Sequence, residues 1–416
     1  MSRQVREAST PVPEANRPLP PELPAETVVA RLRLVARFLG RMLPLCRAHT
    51  VDFYTRGLWE KMVALPPEAV LEALSGERLQ QLLEDPPLQR PLEEAADCSE
   101  FYNIFCENSQ RLINVQAFAL AAKYYSMPNL GVCISLEQML EALERTQQPR
   151  SEVEIKTDDF MNNKKSHEVQ LMSELVDGIA KYYGLNQDCV MVGLHTCGDL
   201  APSTLRLFTA KPEIKAVCSV GCCYHLLSEE YETQEDVLHG TLGFPMSRYL
   251  KEEGWFCGRN ARMAACLALE RVAVGQVLPT ESLFYRAVLQ VIVEEFYGVK
   301  RSDRNIGKVY SKSSSFLDYA RKAFKKLELN ESEISDSLIM EYFEKYKHRM
   351  NELEAFNMLK VVLGPCIEVL ILLDRLCYLK EQDNIAWSGL VKLFDPIKSP
   401  RCFAVVALKK QTFTCK

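Results

Sequence analysis

Two stretches decide the fold: Cys189-Val-Met-Val-Gly-Leu-His-Thr-Cys-Gly-Asp199 and Ile214-Lys-Ala-Val-Cys-Ser-Val-Gly-Cys-Cys-Tyr-His225. Each opens as a short apolar run rich in Val, the pattern of a strand buried on both faces. Leu200 to Phe208 between them has the spacing of a crossover helix. Strand, helix, strand is a parallel unit, right-handed by default. Each run ends in reactive side chains: His195, Cys197 and Asp199 after the first, Cys222, Cys223, Tyr224 and His225 after the second. In open α/β sheets ligands bind outside the carboxyl ends of strands, so both clusters are expected to face one crevice.

Upstream, Lys164 to Tyr183 reads as a helix with Val169, Met172, Leu175, Val176, Ile179 and Tyr183 on one side and Gly184 as C-cap. Earlier still, Val28, Leu32, Val35, Leu39 and Met42 share one face of a helix that Pro44 is expected to end. The periodicity returns in Val70, Leu71, Leu74 and in Leu136, Met139, Leu140, Leu143, separated by breaks at Pro86-Pro87 and Met127-Pro128. Residues 28–150 therefore read as a helical N-terminal domain, behind a tail at 1–27 whose Pro, Glu and Arg bury too little surface to order it. The first part of the α/β core occupies 151–228. After it, helical spacing covers Met263 to Val274, Leu283 to Val293, Phe316 to Leu327 and Leu353 to Lys380, the last with a break at Gly364-Pro365, so 229–388 is a large helical insertion. Gly389 to Phe394 and Cys402 to Lys409 read as a strand pair within 389–410 that closes the sheet.

Of 416 residues, 47% are hydrophobic and 25% charged, enough for a sizeable core. A net charge of -5 argues against a general electrostatic grip on phosphate backbones. A local basic and aromatic patch remains in Lys300, Arg301, Arg304, Lys308, Tyr310, Lys312, Tyr319, Arg321, Lys322, Lys325 and Lys326, of the kind that tracks a single strand; a solvated helical face is the commoner origin of such a run. The fifteen Cys are odd in number and no apolar leader precedes them, which points to reduced thiols in an intracellular protein, cytoplasmic or nuclear. The most apolar stretch, Cys366 to Leu379, is interrupted by Glu368, Asp374 and Arg375, so no membrane anchor is expected.

The strand-end clusters carry two plain alternatives. Cys packs well as a small hydrophobe, and Asp199 has the position of a helix cap. Zinc is a rival, with Cys197, Cys222, Cys223, His195 and His225 as possible ligands. Structural zinc sites usually space their ligands as C-x₂₋₄-C on flexible knuckles, and that spacing is missing, so no metal is expected.

Four runs carry a resemblance: Val192-Gly-Leu-His-Thr-Cys-Gly-Asp-Leu200, Val220-Gly-Cys-Cys-Tyr-His-Leu-Leu227, Lys164-Lys-Ser-His-Glu-Val169 and Phe394-Asp-Pro-Ile-Lys-Ser-Pro-Arg401. From about Phe101 to the C-terminus the chain resembles class I, S-adenosylmethionine-dependent methyltransferase domains, a group with a branch that 2′-O-methylates transfer RNA. The resemblance implies a seven-stranded Rossmann-like sheet with Leu194 to Asp199 ending its fourth strand and Cys222 to His225 its fifth. Those loops border the methyl-transfer centre, which makes His195, Cys197, Asp199, Cys223, Tyr224 and His225 the candidate catalytic residues. It also implies that Lys165, His167 and Glu168, on a helix before the first strand, approach S-adenosyl-L-methionine; for Lys165 a solvated face is the simpler reading.

The departure from that family matters more. A strand, a G-x-G-x-G turn onto a helix and a strand ending in an acidic residue are expected after Tyr183, where they cradle the cofactor and hold its ribose. Here Gly184-Leu-Asn-Gln-Asp188 leads straight into the fourth-type strand, and no G-x-G-x-G occurs anywhere. The junction at Gln187 and Asp188 behaves as if the first three strands were skipped, which leaves Val190 to Leu194 as an apolar sheet edge. The fold expected is α/β: a truncated Rossmann-like methyltransferase core with a helical N-terminal domain and a large helical insertion. The function expected is an S-adenosylmethionine-dependent methyltransferase impaired in cofactor binding, acting on RNA or protein. The alternative is a noncatalytic interaction protein on a remnant scaffold.

Overall fold

The computed structural model describes residues 19–85, 102–107, 111–144, 162–183, 189–231, 242–298 and 313–410. The tail at 1–18, Pro86-Pro87, Gly184, the junction at Gln187-Asp188 and the basic residues from Lys300 to Lys312 lie outside them. A five-stranded sheet forms the centre: β1 (Cys133–Ser135), β2 (Cys189–Thr196), β3 (Ile214–Gly221), β4 (Ile385–Lys392) and β5 (Phe403–Lys409), in the order β1-β4-β5-β3-β2. β2 runs parallel to β3, β3 and β4 flank β5 antiparallel, and β1 lies parallel to β4. Four long helices matter for the site: α1 (Ala25–Arg47), α2 (Asn163–Tyr183), α3 (Leu200–Ala210) and α4 (Met350–Lys380).

Helices cover both faces of the sheet. On one face Met172, Leu175 and Ile179 of α2, with Met139 and Leu143, pack against Ala216, Cys218, Val220 and Val406. On the other, Leu205 and Phe208 of α3 join α4 in the core that contains Val217, Val405 and Ala407. Alternate residues of β3 and β5 thus enter different cores, which is why both strands read as continuous apolar runs; each buried Val or Leu contributes about 1.5–3 kcal/mol.

β2 is different. It occupies the sheet edge, and among the described residues its only strand partner is β3. Its expected burial on both faces fails: Cys189 is exposed and Val192 is 45% exposed. The cause is the missing neighbour, since the run Cys189 to Thr196 has the apolar composition of an interior strand and no charge to guard an edge.

Other expectations change with tertiary packing. Pro44 does not end α1, which runs another turn to Arg47 with the Ala48 N–H donating to the Pro44 carbonyl. Met127-Pro128 opens a helical turn, Met127–Leu130, because Pro fits the first turn where no N–H is needed. Residues 28–150 are not all helical: β1 enters the sheet, and helix Leu136–Glu144 packs beside α2 on its face. The remaining N-terminal helices share one core with the insertion. Met263 to Val274 splits into helices Arg259–Ala264 and Leu269–Ala273. Gly364-Pro365 does not break α4, whose flanks are buried and whose Gly364 lets the Ala264 carbonyl come within 2.6 Å of where a Cβ would sit. α4 is long and apolar enough to cross a membrane, but it is buried inside the fold, with Glu368, Asp374 and Arg375 buried along it.

Candidate functional site

Gly198 lets the loop after β2 close on the loop after β3, and Gly221 makes room for Arg375 of α4. Gly198 has φ +50°, and a Cβ there would meet the Leu226 carbonyl oxygen at 2.6 Å; a Cβ on Gly221 would meet Arg375 Nη1 at 2.5 Å. Neither position tolerates a side chain without displacing a neighbour.

The close approach gathers three thiols. Cys197 Sγ lies 2.7 Å from Cys222 Sγ, Cys222 Sγ lies 3.7 Å from Cys223 Sγ, and all three sulfurs fall within 4.8 Å of one another. Hydrogen bonding from Cys222, reinforced by Cys223 and its backbone N–H, holds the Cys197 thiol below the usual thiol range. Burial pushes Cys222 and Cys223 up, and proximity to Cys197 adds to it. Of the three thiols, Cys197 is the one whose surroundings favour the charged form.

A second constellation lies along β2 and α2. Glu168, buried, places Oε2 3.3 Å from His195 Nε2, accepts from the Ser399 hydroxyl at 2.6 Å through Oε1, and pairs with Lys164 at 3.3 Å. Burial raises its pKa, but Ser399, Lys164 and His195 together more than offset that and hold the carboxyl below its ordinary range. The His195 side chain is 48% exposed, so its ring is reachable from solvent while its carboxylate partner is not. Such a pair can move a proton to or from a bound group.

The other expected residues scatter. Asp199 stands at the N-cap position of α3 but makes no side-chain cap bond; its Oδ1 accepts from the Ser228 N–H at 2.8 Å instead. Tyr224 is buried, donates to Glu368 Oε1 at 2.9 Å, and has Arg375 and Arg401 over its ring at 5.7 and 5.8 Å. With Arg401 Nη1 3.0 Å from Glu368, that hydroxyl belongs to a buried polar network and does not face the crevice. His225 lies beside Cys266, Nδ1 to Sγ 3.5 Å. Lys165 is exposed. His167 Nε2 accepts from the Asp395 N–H at 3.2 Å, tying α2 to the turn before β5. In the basic patch, Tyr319 is buried, Arg321 is bound to Asp336 and to the Glu331 and Ile334 carbonyls, and Lys322 pairs with Asp318, the pattern of an ordinary helical surface.

Sequence reasoning missed Glu368, Arg375, Arg401, Ser399 and Cys266. The signal for the first two was present, since charges inside an apolar helical run are retained when they are paired in a core.

The described residues do not fit S-adenosylmethionine. Among the described residues no strand or glycine-rich turn lies beyond β2, where the resemblance leads one to expect the cofactor's cradle, and the Glu168 carboxylate and His167 Nε2 are taken by protein partners.

Residues 120–230 match the family described as "Methyltransferase domain". The chain is 42% identical to "Probable methyltransferase-like protein 25" of Homo sapiens and 41% identical to the protein of that name in Mus musculus, in alignments covering 95% of this chain and 99% and 98% of theirs. The human alignment is 600 residues long against 416 here, so at least 184 aligned positions have no counterpart in this chain. No solved structure matches.

Proposed function

The chain belongs to the methyltransferase-like protein 25 family, and from that premise we propose that it is an S-adenosylmethionine-dependent methyltransferase by descent whose own cofactor binding is impaired. One observation carries the reading: among the described residues β2 has a strand partner on one side only, where the family's fold expects further strands and the cofactor's glycine-rich turn. What remains is the acceptor side. His195 with Glu168 behind it is the group placed to handle a proton, and Cys197, Cys223 and His225 stand at the adjoining loop ends. RNA or protein is the acceptor class proposed for the family's chemistry on this scaffold.

A second reading, a noncatalytic interaction protein, is favoured by the same apolar edge, which offers a strand to a partner. Calorimetric titration with S-adenosylmethionine, run beside the human relative, separates the two states of the site. The expected result is no isotherm for this chain at micromolar ligand. An isotherm at that concentration, matched by a thermal stabilisation approaching the roughly 2.7 kcal/mol due at 100 times Kd, would refute impaired binding.

A further inference from the structure

The thiol trio supports a reading independent of methyl transfer. Cys197 follows β2 while Cys222 and Cys223 follow β3, so the three sulfurs join the ends of two adjacent strands. At 2.7 Å, the sulfurs of Cys197 and Cys222 are closer than ordinary van der Waals contact allows for two thiols. Thiols brought this close are within reach of a covalent bond, or of a shared cation once they separate. A disulfide, at about 2.05 Å, would use two of them and leave Cys223 idle 3.7 Å from Cys222. Tetrahedral zinc with bonds of about 2.3 Å sets its sulfurs about 3.8 Å apart. Cys222 and Cys223 already have that separation, and Cys197 must move away from Cys222 by about 1 Å to reach it.

The surroundings agree with a metal. The trio is all sulfur, a donor set that selects soft or borderline cations over magnesium or calcium. All three residues are only partly buried, which leaves an entry path and a fourth coordination position for water.

We propose that Cys197, Cys222 and Cys223 bind one zinc ion that clamps the loop after β2 to the loop after β3. The clamp has a purpose in this fold, because β2 has β3 as its one strand partner among the described residues and a metal at the strand ends adds a second tie between the two.

The test uses the full chain, purified with a non-chelating reductant and loaded with zinc chloride, then desalted against a weak chelator. Elemental analysis is expected to give about one zinc per chain, and cobalt(II) in its place should produce a sulfur-to-cobalt charge-transfer band with tetrahedral visible bands. Cys197→Ser and Cys222→Ser should lower zinc affinity at least tenfold, whereas Cys189→Ser, an exposed thiol on β2 outside the trio, should leave it unchanged. Because the cobalt spectrum is read on the unaltered chain, misfolding of a variant does not blunt the test. Absence of the cobalt-thiolate band in the reduced chain would overturn the proposal. So would zinc retention in Cys222→Ser equal to the unaltered chain, or isolation of a metal-free Cys197–Cys222 disulfide in the presence of reductant.

Discussion

Glu168 shows how one carboxylate can decide the behaviour of a site. Its two oxygens serve Ser399, Lys164 and His195 from inside the protein, so the charge is held by partners and hardly by water. Glu168→Gln keeps the size and the capacity to accept from Ser399 but removes the charge. The expected cost is about 1–2 kcal/mol at pH 7, read from urea denaturation. A carboxyl whose folded pKa is depressed contributes stability that is present above its unfolded pKa and lost as pH falls through the folded value. The gap between the two proteins should therefore narrow below about pH 4.3, the ordinary value for Glu. A gap that is constant from pH 7 to pH 3 would mean that the charge is not what stabilises. At this scale the sequence showed which residues were reactive but not which of them meet. Cys197 and Cys222 are 25 positions apart and Gly198 lets their loops close on each other, so a ligand-spacing rule applied along one loop sets them aside.

Among the elements, α4 is the one whose behaviour departs furthest from its composition. Pro365 removes a helical hydrogen bond and Gly364 weakens the turn, yet burial of nearly the whole helix against α1, α3 and the sheet holds it straight through. Packing overrides propensity there, and no local pattern reveals it. α4 also carries Lys360 into the core, where its ammonium donates to the Ala48 carbonyl just beyond α1 and to Thr50 Oγ1. Burial pushes its pKa from 10.5 down to about 8, with Cys46, the nearby acid, opposing the shift. A depressed lysine is a cost while charged: folding stability should rise as pH goes from about 8 toward 10.5, by roughly 3 kcal/mol if no other group intervenes. Lys360→Met should flatten that rise relative to the unaltered chain, measured by urea melts at pH 7, 8.5 and 9.5. Parallel curves for the two proteins would show that Lys360 is not the titrating group. β3 and β5 lie at the other extreme, legible from sequence because both of their faces are buried along all but Lys215 and Phe403.

For the whole molecule, the class of fold and its chain order were readable because strand, crossover helix and strand leave periodic marks, but the first strand of the closing pair begins at Ile385, inside the expected insertion, and not at Gly389. The position of β2 at the edge was readable only by knowing which segments a methyltransferase sheet requires and noting that they are missing. Composition alone gave the opposite answer, since Cys189 to Thr196 has the apolar character of an interior strand. The fusion of the N-terminal helices with the insertion into one core was not legible, because amphipathic periodicity shows that a helix face is buried without naming what buries it.

Among the described residues β2 is the edge strand of a truncated methyltransferase sheet. Hydrogen exchange of the monomer, resolved to single residues by fragmentation mass spectrometry, addresses that directly. In a strand paired on one side, alternate amides point away from the partner. Between Val190 and Leu194, the outward amides are expected to exchange rapidly while the inward ones, and those of Val217 to Val220 on β3, stay protected. Uniform strong protection across Val190 to Leu194 in a monomer would mean that another segment covers β2, and the truncated-sheet account would be contradicted.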